Sequence, residues 1–277
     1  MSLDAPVRRL DVAELPSCVE LAVSRDWLPE EHKWRILFEV GDVFGVDAPD
    51  GAGLAGMVVL TRFGTEVAGI GMMVVAERYE RRGLGARLMT HALQEAKTAS
   101  VWLTATDYGR PLYARLGFRT ISHSTQFYGR FERRAVKTSR PLSTSDMSGI
   151  LRLDKEVFGA PRTELLNSLP SYADQFRVID GPDGPAGFAA AWPNSGTTVV
   201  GPVVAADQDM ALTLIAELGG DAPGTVRLDL DHSRPDVLEW AAEHGMERGS
   251  TTEVMVWGDP LPGDRTRLFN PVMIALG

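Results

Sequence analysis

Residues 71–89 read GMMVVAERYERRGLGARLM. An apolar run, Met72 to Val75, enters a basic turn holding Gly83 and Gly85. Beyond the turn, Leu84, Leu88 and Ala92, with Met89, Leu93 and Ala96 beside them, recur at helical spacing. The pattern is that of a strand, a turn and an amphipathic helix. The first turn of a helix leaves backbone N–H groups without intrahelical partners and carries about half a unit of positive charge, so anions bind there. Gly83 and Gly85 let a ligand approach the backbone closely. Arg81, Arg82 and Arg87 add donors that suit phosphate oxygens. A dinucleotide fingerprint would need glycine where Leu88 stands, and a P-loop would need Gly-Lys followed by Ser or Thr; neither is present.

The segment resembles the acetyl-CoA signature of the GCN5-related N-acetyltransferases (GNAT): Arg or Gln, two variable residues, then Gly-x-Gly or Gly-x-Ala. Here it runs from Glu80 through Arg81 and Arg82 to Gly83, Leu84 and Gly85, with Glu80 replacing the first residue. A second family feature, Tyr and then Gly-Phe after three residues, stands at Tyr113, Gly117 and Phe118. The resemblance covers residues 6–128. It implies acetyl-CoA as cosubstrate, its pyrophosphate held at Arg81, Arg82, Gly83, Leu84, Gly85, Ala86 and Arg87. It also implies a splayed or bulged strand near Met73, Val74 and Val75 whose backbone pairs with pantetheine, and Tyr113 as the acid that protonates the CoA sulfur.

Hydrophobic periodicity and turn residues outline the elements around the turn. Asp11 with Glu14 opens a helix carrying Leu15, Val19 and Ala22, and Pro29 with Glu30 and Glu31 opens another carrying Trp34, Leu37 and Phe38. Strands are predicted at 43–47, 54–61, 66–75, 101–105 and 118–128, with a short helix around 111–116. This order, β, α, α, β, β, β, α, β, α, β, is that of the GNAT family. Charged residues 131–141 read as a linker between domains at 1–130 and 142–277. The order then recurs: helices around 147–158, 210–218 and 237–244, and strands at 176–179, 186–192, 197–204, 226–230 and 251–257. Gly245-Met246 echoes Gly117-Phe118. The fold class is α/β (α+β), two tandem GNAT-like domains, each a mixed, mostly antiparallel twisted sheet flanked by helices. The second copy has Ala205 to Asp209 where the first has its glycine turn, and Ala241 where the first has Tyr113. Two carboxylates there repel pyrophosphate, so this half is read as degenerate, resembling tandem bacterial acetyltransferases whose second domain has lost the catalytic turn; the role expected of it is to wall the substrate pocket, the alternative being to stabilise the fold or a dimer.

Composition bounds the partners. The 277 residues carry a net charge of −9, all of it in the second half, where 11 basic face 20 acidic residues against 17 and 17 in residues 1–135. This argues against nucleic acid, and acidity beside a cleft would draw cationic amines. No apolar run approaches a membrane span and no signal-peptide core opens the chain, so a cytoplasmic location is expected. Cys18, the sole cysteine, reads as core, and the five histidines lack metal-ligand spacing.

Amide formation requires a deprotonated amine, a stabilised oxyanion and a proton for the departing thiolate. The last falls to Tyr113. Glu66 is a candidate base, and Trp27 and Trp34, on the family's variable substrate region, are candidates to cage an amine by cation–π contact. Tyr108, with Asp107, ends a strand beside the expected splay and is a candidate contact to the substrate or cofactor. The apolar C-terminal LFNPVMIALG should dock on the body. The resulting expectation is an N-acetyltransferase acting on a small-molecule or peptide amine without metal. Its rivals are a CoA-binding scaffold or regulator and a protein lysine or N-terminal acetyltransferase, and the resemblance leaves a homodimer open.

Overall fold

The computed structural model describes residues 5–133 and 135–276. Among them the strands are β1 (Arg8–Arg9), β2 (Asp42–Asp47), β3 (Leu54–Phe63), β4 (Val67–Val75), β5 (Ser100–Ala105), β6 (Arg119–Gly129), β7 (Arg140–Pro141), β8 (Gln175–Gly181), β9 (Gly184–Asn194), β10 (Thr197–Ala205), β11 (Thr225–Asp231), β12 (Glu247–Gly258) and β13 (Leu268–Asn270). The α-helices are α1 (Leu15–Val23), α2 (Glu31–Val40), α3 (Leu84–Ala96), α4 (Arg110–Arg115), α5 (Met147–Phe158), α6 (Thr163–Tyr172), α7 (Gln208–Asp221) and α8 (Pro235–Glu243). None of these helices is long and apolar enough to cross a membrane. The predicted elements all appear. Helix α6 was not predicted, because Pro170 inside it breaks the sequence signal.

Twelve strands form one continuous sheet in the order β1-β2-β3-β4-β5-β12-β6-β11-β10-β9-β8-β7, with β13 attached to β10. The order repeats about its centre with one exchange: β12, from the second half, pairs with β5, and β6, from the first half, pairs with β11. The exchanged strands also pair with each other, Val254 opposite Ser122 and Thr251 opposite Thr125. Each half thus finishes its sheet with the other's last strand.

Residues 131–133 and 135–141 are docked rather than free. Buried Glu217 on α7 accepts from the Thr138 and Ser139 backbone N–H groups, and Phe131 stacks on Trp240. The α3 stripe of Leu84, Leu88, Met89, Ala92 and Ala96 is buried, as its periodicity requires, and so is Cys18, whose thiol burial pushes up to about 12.

The sharpest burial of charge lies after α5. Arg162 donates to Asp154 through Nε (3.0 Å) and Nη2 (2.6 Å), both side chains are fully buried, and the guanidinium lies 4.3 Å from the Phe158 ring centre. A buried pair adds little over apolar packing, but removing one partner strands the other charge. Asp154→Ala should therefore cost about 3–5 kcal/mol of stability, measured as a lowered urea midpoint; an unchanged midpoint would contradict this role.

Candidate active site

The site begins where β4 and β5 part. They run parallel through the Val67–Ser100 to Ile70–Leu103 rungs and pair no further. On the other side of β4 the register to β3 slips between Met57 and Val59, which inserts an extra residue near Met72, itself at φ 50. A bulge of this kind re-aims the strand and leaves backbone groups without ladder partners. The stretch Met73 to Val75 thus runs along one side of an open V, as the family resemblance implies.

Past β4 the chain reaches the basic turn. Gly83 caps α3 at φ 79 with no side-chain hydrogen bond to the helix N-terminus, and a Cβ placed on it would meet nothing within 4 Å. The helix start is thus uncapped and open beside exposed Arg81 and Arg82, a donor set that fits the pyrophosphate of acetyl-CoA. Gly85 does different work: its Cβ would come 3.3 Å from Leu112 Cδ2 and 3.4 Å from Met73 Cε, so its smallness serves packing rather than access. Leu84 is buried, Ala86 half-buried, and Arg81 and Arg82 exposed at the turn. Arg87 turns inward and donates to the Ala5 carbonyl.

Glu80, the departure from the family pattern, is occupied. Arg25, just past α1, donates to its carboxylate, and the same carboxylate beside Tyr108 pushes that phenol upward. Tyr108 is therefore placed beside the phosphate turn, outside the acceptor cavity described next.

A cavity of about 400 Å³ opens between the halves. Tyr113, Gly71, Met72, Met73, Leu103 and Thr104 line it from the splay, Trp27 and Asp26 from the segment after α1, and Trp192, Asn194, Arg227 and Asp229 from the second half. The C-terminal segment closes one side as expected. Met273, Ile274 and Ala275 line the cavity, and Thr104 donates to the Ile274 carbonyl at 3.2 Å. Tyr113 is 7% exposed, and burial pushes its phenol up to about 12, so it holds its proton at neutral pH.

Two expectations fail. Trp34 is fully buried against Phe38 in the core; it shares the inward face of α2 with Leu37 and does not line the cavity. Glu66 lies at the end of β4 remote from the splay, where its carboxylate accepts from the Thr65 N–H. No histidine lines the cavity. Sequence reading missed its polar floor: Glu30, Lys33, Gln126, Tyr128, Arg227 and Asp229. The available signal was two charges, Arg227 and Asp229, alternating within the otherwise apolar strand TVRLDLD. The second half contributes little of its surplus acid here, so the charge excess lies elsewhere.

The second half repeats the bulge but not the opening. β10 slips against β9 between Val200 and Val203, and β10 pairs with β11 only as far as Val199–Arg227. The gap beyond is filled by β13 and its Asn270, which donates to the Val200 carbonyl and accepts from the Asp229 N–H. At the equivalent helix start, Asp207 caps α7 by accepting from the Met210 N–H.

A model of the acetyltransferase (GNAT) family matches residues 9–118, and one of the acetyltransferase (GNAT) domain matches residues 150–270. The chain belongs to the GNAT superfamily of N-acetyltransferases, as two such domains in tandem. YitH of Bacillus subtilis, an uncharacterized N-acetyltransferase, is 23% identical over 253 residues, 89% of each chain. A solved structure from Pyrococcus horikoshii assigned as an acetyltransferase superposes with a TM-score of 0.84 at 18% identity, covering 100% of this chain and 98% of that one. A tandem GNAT protein from the clavulanic acid biosynthesis pathway gives a TM-score of 0.64 at 15% identity over 93% of this chain and 99% of that one.

Gly83→Val imposes a side chain on a left-handed residue and fills the cradle, so acetyl-CoA affinity should fall at least about tenfold; unchanged calorimetric affinity would refute the cradle. Arg25→Ala should also weaken acetyl-CoA binding, by bringing back the charge of Glu80 beside the phosphates. Its partner check is Arg25→Ala combined with Glu80→Gln, which should restore affinity.

Proposed function

We propose that the first half is the working domain, moving an acetyl group from acetyl-CoA directly to the primary amine of a small molecule or peptide while both are bound. Acetyl-CoA supplies the acyl group as a thioester. Arg81, Arg82 and the backbone of residues 83–86 hold its phosphates, and the open edge of Met73 to Val75 aligns its pantetheine. The observation that carries the reading is Tyr113: a phenol kept protonated by burial, lining a cavity that opens at the splay. It can hold a proton for the departing sulfur, a contribution of the size typical for a positioned acid.

In this reading residues 142–277 are a degenerate domain that walls the acceptor pocket, and 131–141 are the connection. Its own splay is plugged by β13 and its helix start capped by Asp207, which supports a single cofactor site. The scaffold alternative drew on Glu80, and the Arg25 pairing answers that charge. The protein-acetylating alternative needs an open groove. The cavity is instead bounded by both halves and by the C-terminal segment, which favours a small acceptor. Trp27 stays at its mouth as a candidate amine contact.

Tyr113→Phe should keep acetyl-CoA binding and lower turnover by about 10²–10⁴-fold. The assay is thiol release across polyamines, aminoglycosides, amino acids and lysine peptides, with products confirmed by mass. An undiminished rate would remove Tyr113 from the mechanism.

A further inference from the structure

The floor of the cavity holds four charged side chains that are nearly sealed from solvent. Lys33 pairs with Glu30. Arg227 donates through Nε (3.0 Å) and Nη2 (3.2 Å) to Asp229. Asn194 Nδ2 donates to Glu30 at 2.7 Å. Burial of four charges is costly unless their hydrogen-bonding capacity is used.

Counting that capacity shows an imbalance. Each carboxylate oxygen has a partner: Glu30 meets Lys33 and Asn194, and Asp229 meets Arg227 at both oxygens. The donors are not exhausted. An ammonium carries three N–H bonds and a guanidinium five. Lys33 spends one on Glu30, and the Arg227 bonds to Asp229 use Nε and Nη2. Trp192, 3% exposed, has no partner for Nε1. Lys33 and Arg227 line the same floor, and burial first, then Arg227, pushes the ammonium down to about 7, with Asp229 opposing. Two neighbouring cations with unspent donors are a place where an anion relieves both repulsion and unmet bonds.

We infer that the acceptor is an amine that also carries a carboxylate, an amino-acid-like molecule whose carboxylate is held by Lys33, Arg227 and Trp192 while its amine points to Tyr113. A carboxylate brings one negative charge for the unspent Lys33 and Arg227 donors to meet, whereas a doubly charged phosphate would bring two against the neighbouring Glu30 and Asp229 carboxylates. Asn194 Oδ1, buried and without a partner, accepts from a donor on the same molecule. The volume of about 400 Å³ accommodates a small metabolite. This inference rests on the acetyltransferase reading only for the direction of the amine; the carboxylate site stands on the floor residues themselves.

The test is calorimetry on the full chain loaded with CoA, titrated with matched pairs: lysine and cadaverine, histidine and histamine, phenylalanine and phenethylamine. At least one amino acid should bind at least tenfold more tightly than its decarboxylated partner. Lys33→Met and Arg227→Met strand Glu30 and Asp229 and so should lower the melting temperature; each, assayed below its own transition and with CoA binding intact, should erase that preference. Equal affinity within every pair, binding by neither member of any pair, or a preference that survives both substitutions would overturn the proposal. Tight binding of the amino acid without acetylation would support the carboxylate site and count instead against the transferase reading.

Discussion

Beyond the Ile70–Leu103 rung, β4 and β5 carry backbone N–H and C=O groups that neither strand can satisfy on the other. Buried backbone polar groups demand partners, so the wedge is a place where water, a side chain or an added strand-like segment can pair. In the second half the chain fills the matching wedge itself, with β13 and the side chain of Asn270. In the first half the wedge stays open toward the basic turn, and the C-terminal segment reaches only its inner end, where Ala275 packs over Gly71. The two halves thus share one geometric defect and differ in what occupies it. That difference, more than any loss of sheet or core, separates the two halves.

Electrostatics follow the same division. At the first helix start the backbone is uncapped and flanked by arginines, with the contrary charge of Glu80 tied to Arg25. At the second, Asp207 supplies the anion internally. A helix terminus attracts negative charge in either case; whether that charge comes from a ligand or from the chain is decided by a few residues in the turn.

The parts legible in the sequence were local ones. Gly83, the arginines and the apolar strand before them lie within one short segment that spacing marks as an anion turn, and Tyr113 lies within a motif of six residues that the family resemblance picks out. The acceptor cavity was not legible, because Lys33, Trp192 and Arg227 come from three distant elements and acquire meaning only when the sheet brings them together. Trp34 shows the limit of residue type: an aromatic on the right helix packs inward when it shares a face with Leu37. Strand exchange was hidden for another reason. Alternation of side chains tells which face of a strand is buried, and β6 and β12 carry alternations that either edge could accept.

That exchange also sets a timetable. β6 is synthesised as part of the first half, yet both of its neighbours, β11 and β12, belong to the second. Translation must add roughly a hundred further residues before the first of them exists, on the order of 5–20 s at ordinary elongation rates. Through that interval the nascent first half has a bare β5 edge and an unpaired strand of its own, the kind of exposed ladder that other chains can join. The cavity is then the last thing to form, since its walls are joined only when the final strands have passed the ribosome.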